Sequence, residues 1–572
     1  MTPRARGLLP VALVCALAIG CRSRSEADRD QRHEPPVRPA ASARAAGPAR
    51  PRLVVLVIVD QLPSWSFEQV LRRTTGGFAR MMRSSAYYRR GELPFSATST
   101  SAGHAALGTG APPAVNGIIG NDWFRPPGES GPSDGPVPAA SDPDHPVLSV
   151  AGASGSRDRG ESPRALLVEG IADALERATG GAAVTVGVSL KPRSAIFPLG
   201  RHPDLAVWYD ADQAAMTTST YYAGTLPPWL SHLAEERPAS RFFREVWQPG
   251  DPTLLAELAG GPDDQPGDTG DEGFSAAFPH PMASMPSPAA ALVATPYGTE
   301  LVFDTAEAAI RGAGLGADEV PDLLTVSVSS HDYAGHFWGQ ESWERIDLFL
   351  RLDTRLGQFF DRLDQIVGAG RWAAIVTSDH GATHLLERAE QTGQKVYRID
   401  GAALRALAEK IAVRALGRGP WIRGMAANMI YMTARFEQVD PGRRRRALAA
   451  IAAELARVTG VALALPTADL AGDCAKQNSD HRRRACAALA PGSMGAIYLE
   501  PLPGSRFGAD HPGGAGHGNA SDDERTVPIL VYAPGQERRQ VGEPRSILQV
   551  APTLALLLGV PPPAAATEPP LD

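Results

Sequence analysis

Apolar and polar positions along this chain follow two alternating periods. Unbroken apolar or near-apolar runs occur at 53–59, 183–190, 323–329, 373–377 and 527–532. Runs of this length, rich in β-branched residues, read as strands buried on both faces. Helical periods lie between them, at Ser162–Thr179, Thr305–Gly312, Ser342–Ile366 and Gly442–Val458. The alternation predicts an α/β fold: a mainly parallel sheet sandwiched by helices. Near the end, Ile547–Val560 predicts a short apolar helix closed by Gly559 and a proline run. Three stretches lack a clean period. Residues 126–161 are rich in Gly, Ser and Pro and read as a surface loop. Residues 205–300 hold several Trp and Pro and read as a cap over a site. Residues 465–520 form a third irregular insertion.

At 572 residues the chain exceeds what one core usually serves. Insertions account for the excess, so one domain over 52–560 is expected, followed by a Pro/Ala-rich tail at 561–572. The net charge of −7 gives no reason to expect a nucleic-acid-binding surface.

The first residues change the picture of where the chain works. Arg4 and Arg6 precede the apolar stretch Leu8–Gly20. That stretch is too short for a permanent membrane span and suits a signal peptide. Leu17-Ala-Ile-Gly-Cys21 resembles a bacterial lipobox, with Ala18 where leucine is usual. The resemblance implies cleavage before Cys21, lipidation there, and a periplasmic or cell-envelope location. Residues 22–51 read as a disordered tether. Of four cysteines, only Cys474 and Cys486 fall outside the leader. In an exported chain that spacing predicts a disulfide across a surface loop. Closing so short a loop contributes about 3 kcal/mol in the chain-entropy model. His481 is the only other ligand candidate between them, which disfavours a zinc site.

Candidate chemistry gathers at the strand ends. Asp60 ends the first run, Asp332 follows the third, and Asp379-His380 follows the fourth. In open α/β sheets, ligands bind beyond the carboxyl ends of the strands. Three carboxylates with histidines nearby suit multiply charged metal ions. Asp332 and His336, at i and i+4, face the same way on a helix and can share one ion. His517 lies in the glycine-rich Gly513-Gly-Ala-Gly-His-Gly-Asn519. Asp379 and Asp60 also have a plain reading as helix caps, Asp60 for a helix at Pro63–Arg72, and an Asp and a His spaced as Asp332 and His336 also arise by chance. The hydroxyl cluster Thr98-Ser-Thr-Ser101 precedes a helix start. It reads as a cap, or as a nucleophile facing an anion held by backbone N–H groups. Asn121 reads as a turn residue or a side-chain donor. Lys191-Pro-Arg193 reads as solvated charge or as a phosphate clamp.

Taken in order, these segments resemble the alkaline phosphatase superfamily, and within it the PafA-like phosphate-monoester hydrolases of bacteria. Thr100 through Trp123 is similar to that family's nucleophile region. The Lys-x-Arg, Asp-x-x-x-His, Asp-His-Gly and late His-Gly follow in the family's sequence. The resemblance implies two zinc ions, with manganese or iron as alternatives. One would be held by Asp332, His336 and His517. The other would be held by Asp60, Asp379 and His380, with the Thr100 oxygen. Thr100 occupies the nucleophile position, and Asn121, Lys191 and Arg193 occupy the phosphate contacts. His104 matches a family position outside the ligand set and is read as structural. The family register favours these histidines over His331, His384 and His511. The implied activity is hydrolysis of small phosphate monoesters through a phospho-threonine, by a monomer whose only membrane contact is its lipid anchor. A phosphodiesterase or nucleotide pyrophosphatase of the same superfamily is the alternative, disfavoured by Lys191 and Arg193 because a diester carries one fewer negative charge. An inactive ligand-binding lipoprotein is the remote one. No Cys/Ser-x-Pro-x-Arg sequence marks a sulfatase at the nucleophile.

Overall fold

The computed structural model describes residues 50–126, 135–150, 159–508 and 513–572. The leader, nearly all of the tether and His511 lie outside them. No helix among the described residues is long and apolar enough to cross a membrane.

A ten-stranded sheet forms the centre. Its main path runs Arg539–Val541, Ala86–Glu92, Thr526–Tyr532, Trp372–Thr377, Leu53–Val59, Asp322–Val328, Thr185–Ser189, Leu205–Asp210 and Ala215–Thr217. The middle of this path is parallel: Leu53–Val59 pairs with Asp322–Val328 and with Trp372–Thr377, and Asp322–Val328 pairs with Thr185–Ser189. Thr526–Tyr532 runs antiparallel to both of its neighbours. Every residue of Leu53–Val59 is buried, as expected for a strand covered on both faces. Val55, Val57 and Val59 face one core with the helices Pro296–Gly312 and Trp343–Leu363. Val54, Leu56 and Ile58 face a second core with Thr100–Thr109, Ile171–Thr179 and Val550–Leu558.

Register sets up the site. Val59 lies opposite Val328, Ile58 opposite Thr377, and Ser189 opposite Ser327. Asp60, Asp332, Asp379 and Lys191 therefore leave the sheet along one carboxyl edge.

Several boundaries differ from the sequence pattern. The helix expected from Ser162 starts at Ile171, where Gly170 is the N-cap and its N–H donates to Asp173 Oδ2 at 2.6 Å. The helix expected from Thr305 begins at Pro296, where proline needs no N–H partner. The stretch from 205 does not open as an insertion: Leu205–Asp210 and Ala215–Thr217 extend the central sheet. A separate four-stranded sheet joins Ile422–Ala426, Met429–Met432, Ile497–Pro501 and Val461–Pro466. It packs with the helices Gly401–Leu416 and Pro441–Leu455 around a core of its own. Cys474 and Cys486 form a disulfide, with Cα atoms 5.5 Å apart.

Candidate functional site

Thr100 is the first residue of the helix Thr100–Thr109. It is fully buried, and its Oγ1 has no hydrogen-bond partner. Ser99 holds the N-cap position but makes no capping bond, so neither residue serves as the cap that a plain reading assigned. Thr98 has a different task. Its hydroxyl donates to Asn519 O at 2.7 Å and accepts from Gly518 N–H at 2.9 Å. The helix sits hard against the Trp372–Thr377 strand end. A Cβ on Gly103 would lie far inside van der Waals distance of Asp379 O, so only glycine lets the Thr100 turn approach so closely.

The three carboxylates and the histidines meet in front of this turn. Asp60, Asp332, Asp379 and His380 are all buried. Two overlapping donor sets have ligand atoms within 4.8 Å of one another: Asp60, Asp379 and His380, and Asp332, His380 and His517. His336 joins the second set, with Nε2 3.2 Å from Asp332 Oδ1 and 3.2 Å from His517 Nε2. The two ligand sets drawn from sequence therefore converge on one cluster, with His380 between them. Its ring stacks on His517 at 3.9 Å between centroids.

The imidazoles share one orientation. His517 Nδ1 donates to Thr98 O at 2.8 Å, His380 Nδ1 to Gly381 O at 2.9 Å, and His336 Nδ1 to Ala515 O at 3.1 Å. A carbonyl on Nδ1 requires the proton there and leaves the Nε2 lone pair pointing into the cluster. His380 Nε2 and Asp60 Oδ1 are buried without hydrogen bonds, and Asp379 Oδ2 has only His104 Nδ1, 3.0 Å away. Burying such groups unpaired is costly. These orphaned acceptors and aligned lone pairs form a donor set that fits divalent transition ions.

Charge supports the same conclusion. Burial and the neighbouring Asp379 raise the Asp60 carboxyl to about 7, despite Lys191. Burial also opposes ionisation of Asp332 and Asp379. Lys191 and His336 nonetheless hold Asp332 well below the usual carboxylate range, and His380 and His104 hold Asp379 low. Lys191 is the one buried ammonium among them. Its Nζ lies 2.8 Å from Asp60 Oδ2 and also contacts Asp332 Oδ2. Burial disfavours its charge, but the two aspartates outweigh burial and keep it cationic. Asp60 and Asp332 thus share one lysine and Asp379 contacts none, which leaves negative potential for added cations.

The remaining predicted residues are Asn121 and Arg193. Asn121 Oδ1 accepts from Ser101 N–H at 2.9 Å, fixing its amide against the helix N-terminus. Arg193 lies in the short helix Pro192–Ile196, and its Nε has no partner. A cavity of ≈ 190 Å³ is lined by Ser99, Asn121, Asp122, Asn428, Tyr498 and His517, among others.

A family model described as type I phosphodiesterase / nucleotide pyrophosphatase matches residues 54–518. The chain belongs to this family. It is 34% identical over 342 residues to alkaline phosphatase PhoV of Synechococcus elongatus, a match that covers 59% of this chain and 60% of that relative. It is 33% identical over 342 residues to alkaline phosphatase PafA of Elizabethkingia meningoseptica, with the same coverage. The aligned stretch thus spans 60% of the length of these two curated relatives. A crystal structure of wild-type alkaline phosphatase PafA superposes with a TM-score of 0.82 at 26% identity, covering 91% of this chain and 98% of that one.

Within this type I phosphodiesterase-family site, sequence reasoning missed Gln61. It is buried and adopts φ 61°, a left-handed backbone that costs a non-glycine residue of order 1 kcal/mol. Its Nε2 donates to Asp332 Oδ1 at 2.8 Å and its N–H to Asp379 Oδ1 at 3.2 Å, tying two strand ends together. Its place immediately after Asp60 was the only signal. Asn428 was also missed. It lies on the hairpin between Ile422–Ala426 and Met429–Met432 and donates to Gly518 O at 2.6 Å. His104, read as structural from sequence, has Nδ1 3.0 Å from Asp379 Oδ2 and so touches the donor cluster. Its Nδ1 donates to Thr100 O at 2.8 Å, and its Nε2 lies 2.8 Å from the Ser327 hydroxyl. His384 is occupied elsewhere, bonded to Glu341 and stacked on Trp65.

Proposed function

We propose that this protein is an exported, metal-dependent phosphate monoester hydrolase, with Thr100 as its nucleophile. The observation that carries the reading is the buried, unpartnered Thr100 hydroxyl at a helix N-terminus beside a cluster of orphaned metal donors. The curated relatives named alkaline phosphatases support the substrate class.

Asp60, Asp379 and His380 would hold one zinc ion, and Asp332, His336 and His517 a second. Bound there, the ions would lower the cost of an alkoxide at Thr100 and of negative charge on the departing oxygen. The chain's own groups do the rest. The Thr100 oxygen bonds to phosphorus as the ester P–O bond breaks, releasing the alcohol. Water then cleaves the phospho-threonine to inorganic phosphate. Backbone N–H groups of the Thr100 turn and the Asn121 amide face the nonbridging oxygens. Dications on Asp60 and Asp332 would compete with Lys191 for the same oxygens. The ammonium, with the Arg193 guanidinium, then serves the phosphoryl dianion. A dianion gains more from these two cations than a diester monoanion does. We further infer lipid anchoring at Cys21 in the cell envelope and a monomer acting on small phosphate esters.

The deciding experiment compares an aryl phosphate monoester with the matching bis-aryl diester, using zinc-loaded full-length protein. The expected kcat/KM is higher for the monoester. A diester rate well above the monoester rate would assign the protein to diester hydrolysis, and no turnover of either would end the enzymatic reading.

A further inference from the structure

Beside the cavity lined by Asn121 and His517 lies a second, larger basin of ≈ 450 Å³ that none of the groups above uses. Three chain segments pass from one to the other, and each does so in two residues. Asp122 lines the first cavity and Phe124 the second. Met429 lines the first and Tyr431 the second. Tyr498 lines the first and Ala496 the second. Met429 pairs with Tyr498 across the small sheet, and Ile430 with Ile497. A two-residue step along a strand returns to the same face about 7 Å away. The two spaces are therefore neighbours on one sheet face, with Ile430 turned to the opposite core.

The second basin has its own chemistry. Its floor is apolar, with Phe124 and Tyr431 rings 5.0 Å apart; Leu448, from the core around Ile430, lines it from another side. Its rim is cationic. The Arg423 guanidinium lies 4.9 Å over the Phe124 ring and donates to Arg125 O at 2.7 Å. Arg444 is paired with Glu437. Arg445, exposed on the helix Pro441–Leu455, has no partner among the described residues. Rings under guanidinium groups suit a flat apolar body that ends in an anion.

We propose that this basin is a leaving-group subsite, selecting phosphate monoesters whose alcohol part carries an aromatic or apolar body and a second, remote anion. The assignment builds on the phosphomonoesterase reading. Stepping from Met429 to Tyr431 alone takes about 7 Å, so only a leaving group longer than that extends from the first cavity toward the arginine rim. Smaller esters leave the basin empty.

The test uses two esters that differ only in remote charge: 4-(3-carboxypropyl)phenyl phosphate and its carboxamide. Zinc-loaded full-length protein should prefer the acid in kcat/KM by about tenfold, the effect of one charge-assisted hydrogen bond. Arg445→Glu should erase or invert that ratio, and Arg445→Ala should reduce it. Calorimetric binding of the free alcohol, 4-(4-hydroxyphenyl)butanoate, gives a readout without turnover. It should bind more tightly than its amide, and the difference should vanish in Arg445→Glu. Equal kcat/KM for acid and amide, or a ratio insensitive to Arg445, overturns the subsite. If neither ester is hydrolysed but charge-selective binding persists and depends on Arg445, the anion site stands and the hydrolase reading fails.

Discussion

At the scale of single residues, neighbouring hydroxyls separate by what they touch. Thr98 and Thr100 are two positions apart and equally buried, yet Thr98 is saturated and Thr100 has no partner. A hydroxyl left unpaired in a protein interior costs free energy unless something absent from the protein chain satisfies it. Thr100→Ala is therefore expected to lower monoester turnover by several orders of magnitude while zinc content, measured by elemental analysis, stays near that of the parent. Thr98→Ala should act through stability. It removes the partner of the Asn519 carbonyl and of the Gly518 N–H, costing about 1–3 kcal/mol in chemical denaturation. The reverse pattern, with Thr98→Ala inactive but stable and Thr100→Ala active, would move the nucleophile. Sequence alone left this choice to family register, because a Thr-Ser-Thr-Ser run carries no local sign of which hydroxyl is satisfied.

At the scale of elements, the inner strands, including the antiparallel Thr526–Tyr532, were legible, and the edge strands and the small sheet were not. The runs at 53–59 and 373–377 differ from the observed strands by one residue at most. They are buried on both faces, so every position is apolar and the signal is unbroken. Ala86–Glu92 was invisible because Arg89 and Arg90 are exposed where a register shift interrupts its ladder. The four-stranded sheet was missed for a related reason. Its strands are short, and the helix Gly401–Leu416 beside it is alanine-rich with a weak apolar stripe. The site depends on how closely elements approach. Gly103→Ala places a methyl group against the Asp379 carbonyl. The helix would have to lift off the strand end, so loss of most activity is expected together with weaker zinc retention and a lower Tm. Parent-like activity would show that the helix can shift without disturbing Thr100. The disulfide acts at the same scale. It braces the helix Asp480–Ala487, and the next residues, Ala488 and Leu489, line the cavity that Asn121 and His517 also line. Replacing Cys474 and Cys486 together by serine should cost about 3 kcal/mol in denaturant titration. KM should rise more than kcat falls, because the wall moves while the metal donors stay in place. A fall in kcat alone would place the disulfide's influence at the donors.

For the whole molecule, the segment around 259–275 is held beside the site by backbone bonds rather than by sheet pairing. Gly514 N–H donates to Gly267 O at 2.9 Å, Gly270 N–H to Phe337 O at 3.2 Å, and Trp343 Nε1 to Gly261 O at 3.1 Å. Asp268 is buried in this junction with an unpartnered Oδ1. Burial, with the nearby Asp263 and Glu341, raises its carboxyl to about 8, against one backbone bond from Gln265 that lowers it. In the unfolded chain the same group ionises near 3.8. Between these values the folded protein binds a proton that the unfolded chain has released. Stability therefore falls as pH rises through this window, and the full penalty is present above about pH 8. The magnitude is on the order of a few kcal/mol. Asp268→Asn keeps the shape and removes the ionisation. Its Tm should exceed that of the parent at pH 9 and converge with it near pH 4. A variant less stable than the parent at pH 9 would mean that the ionised carboxylate has a compensating partner, and the segment would then be held by that charge rather than in spite of it.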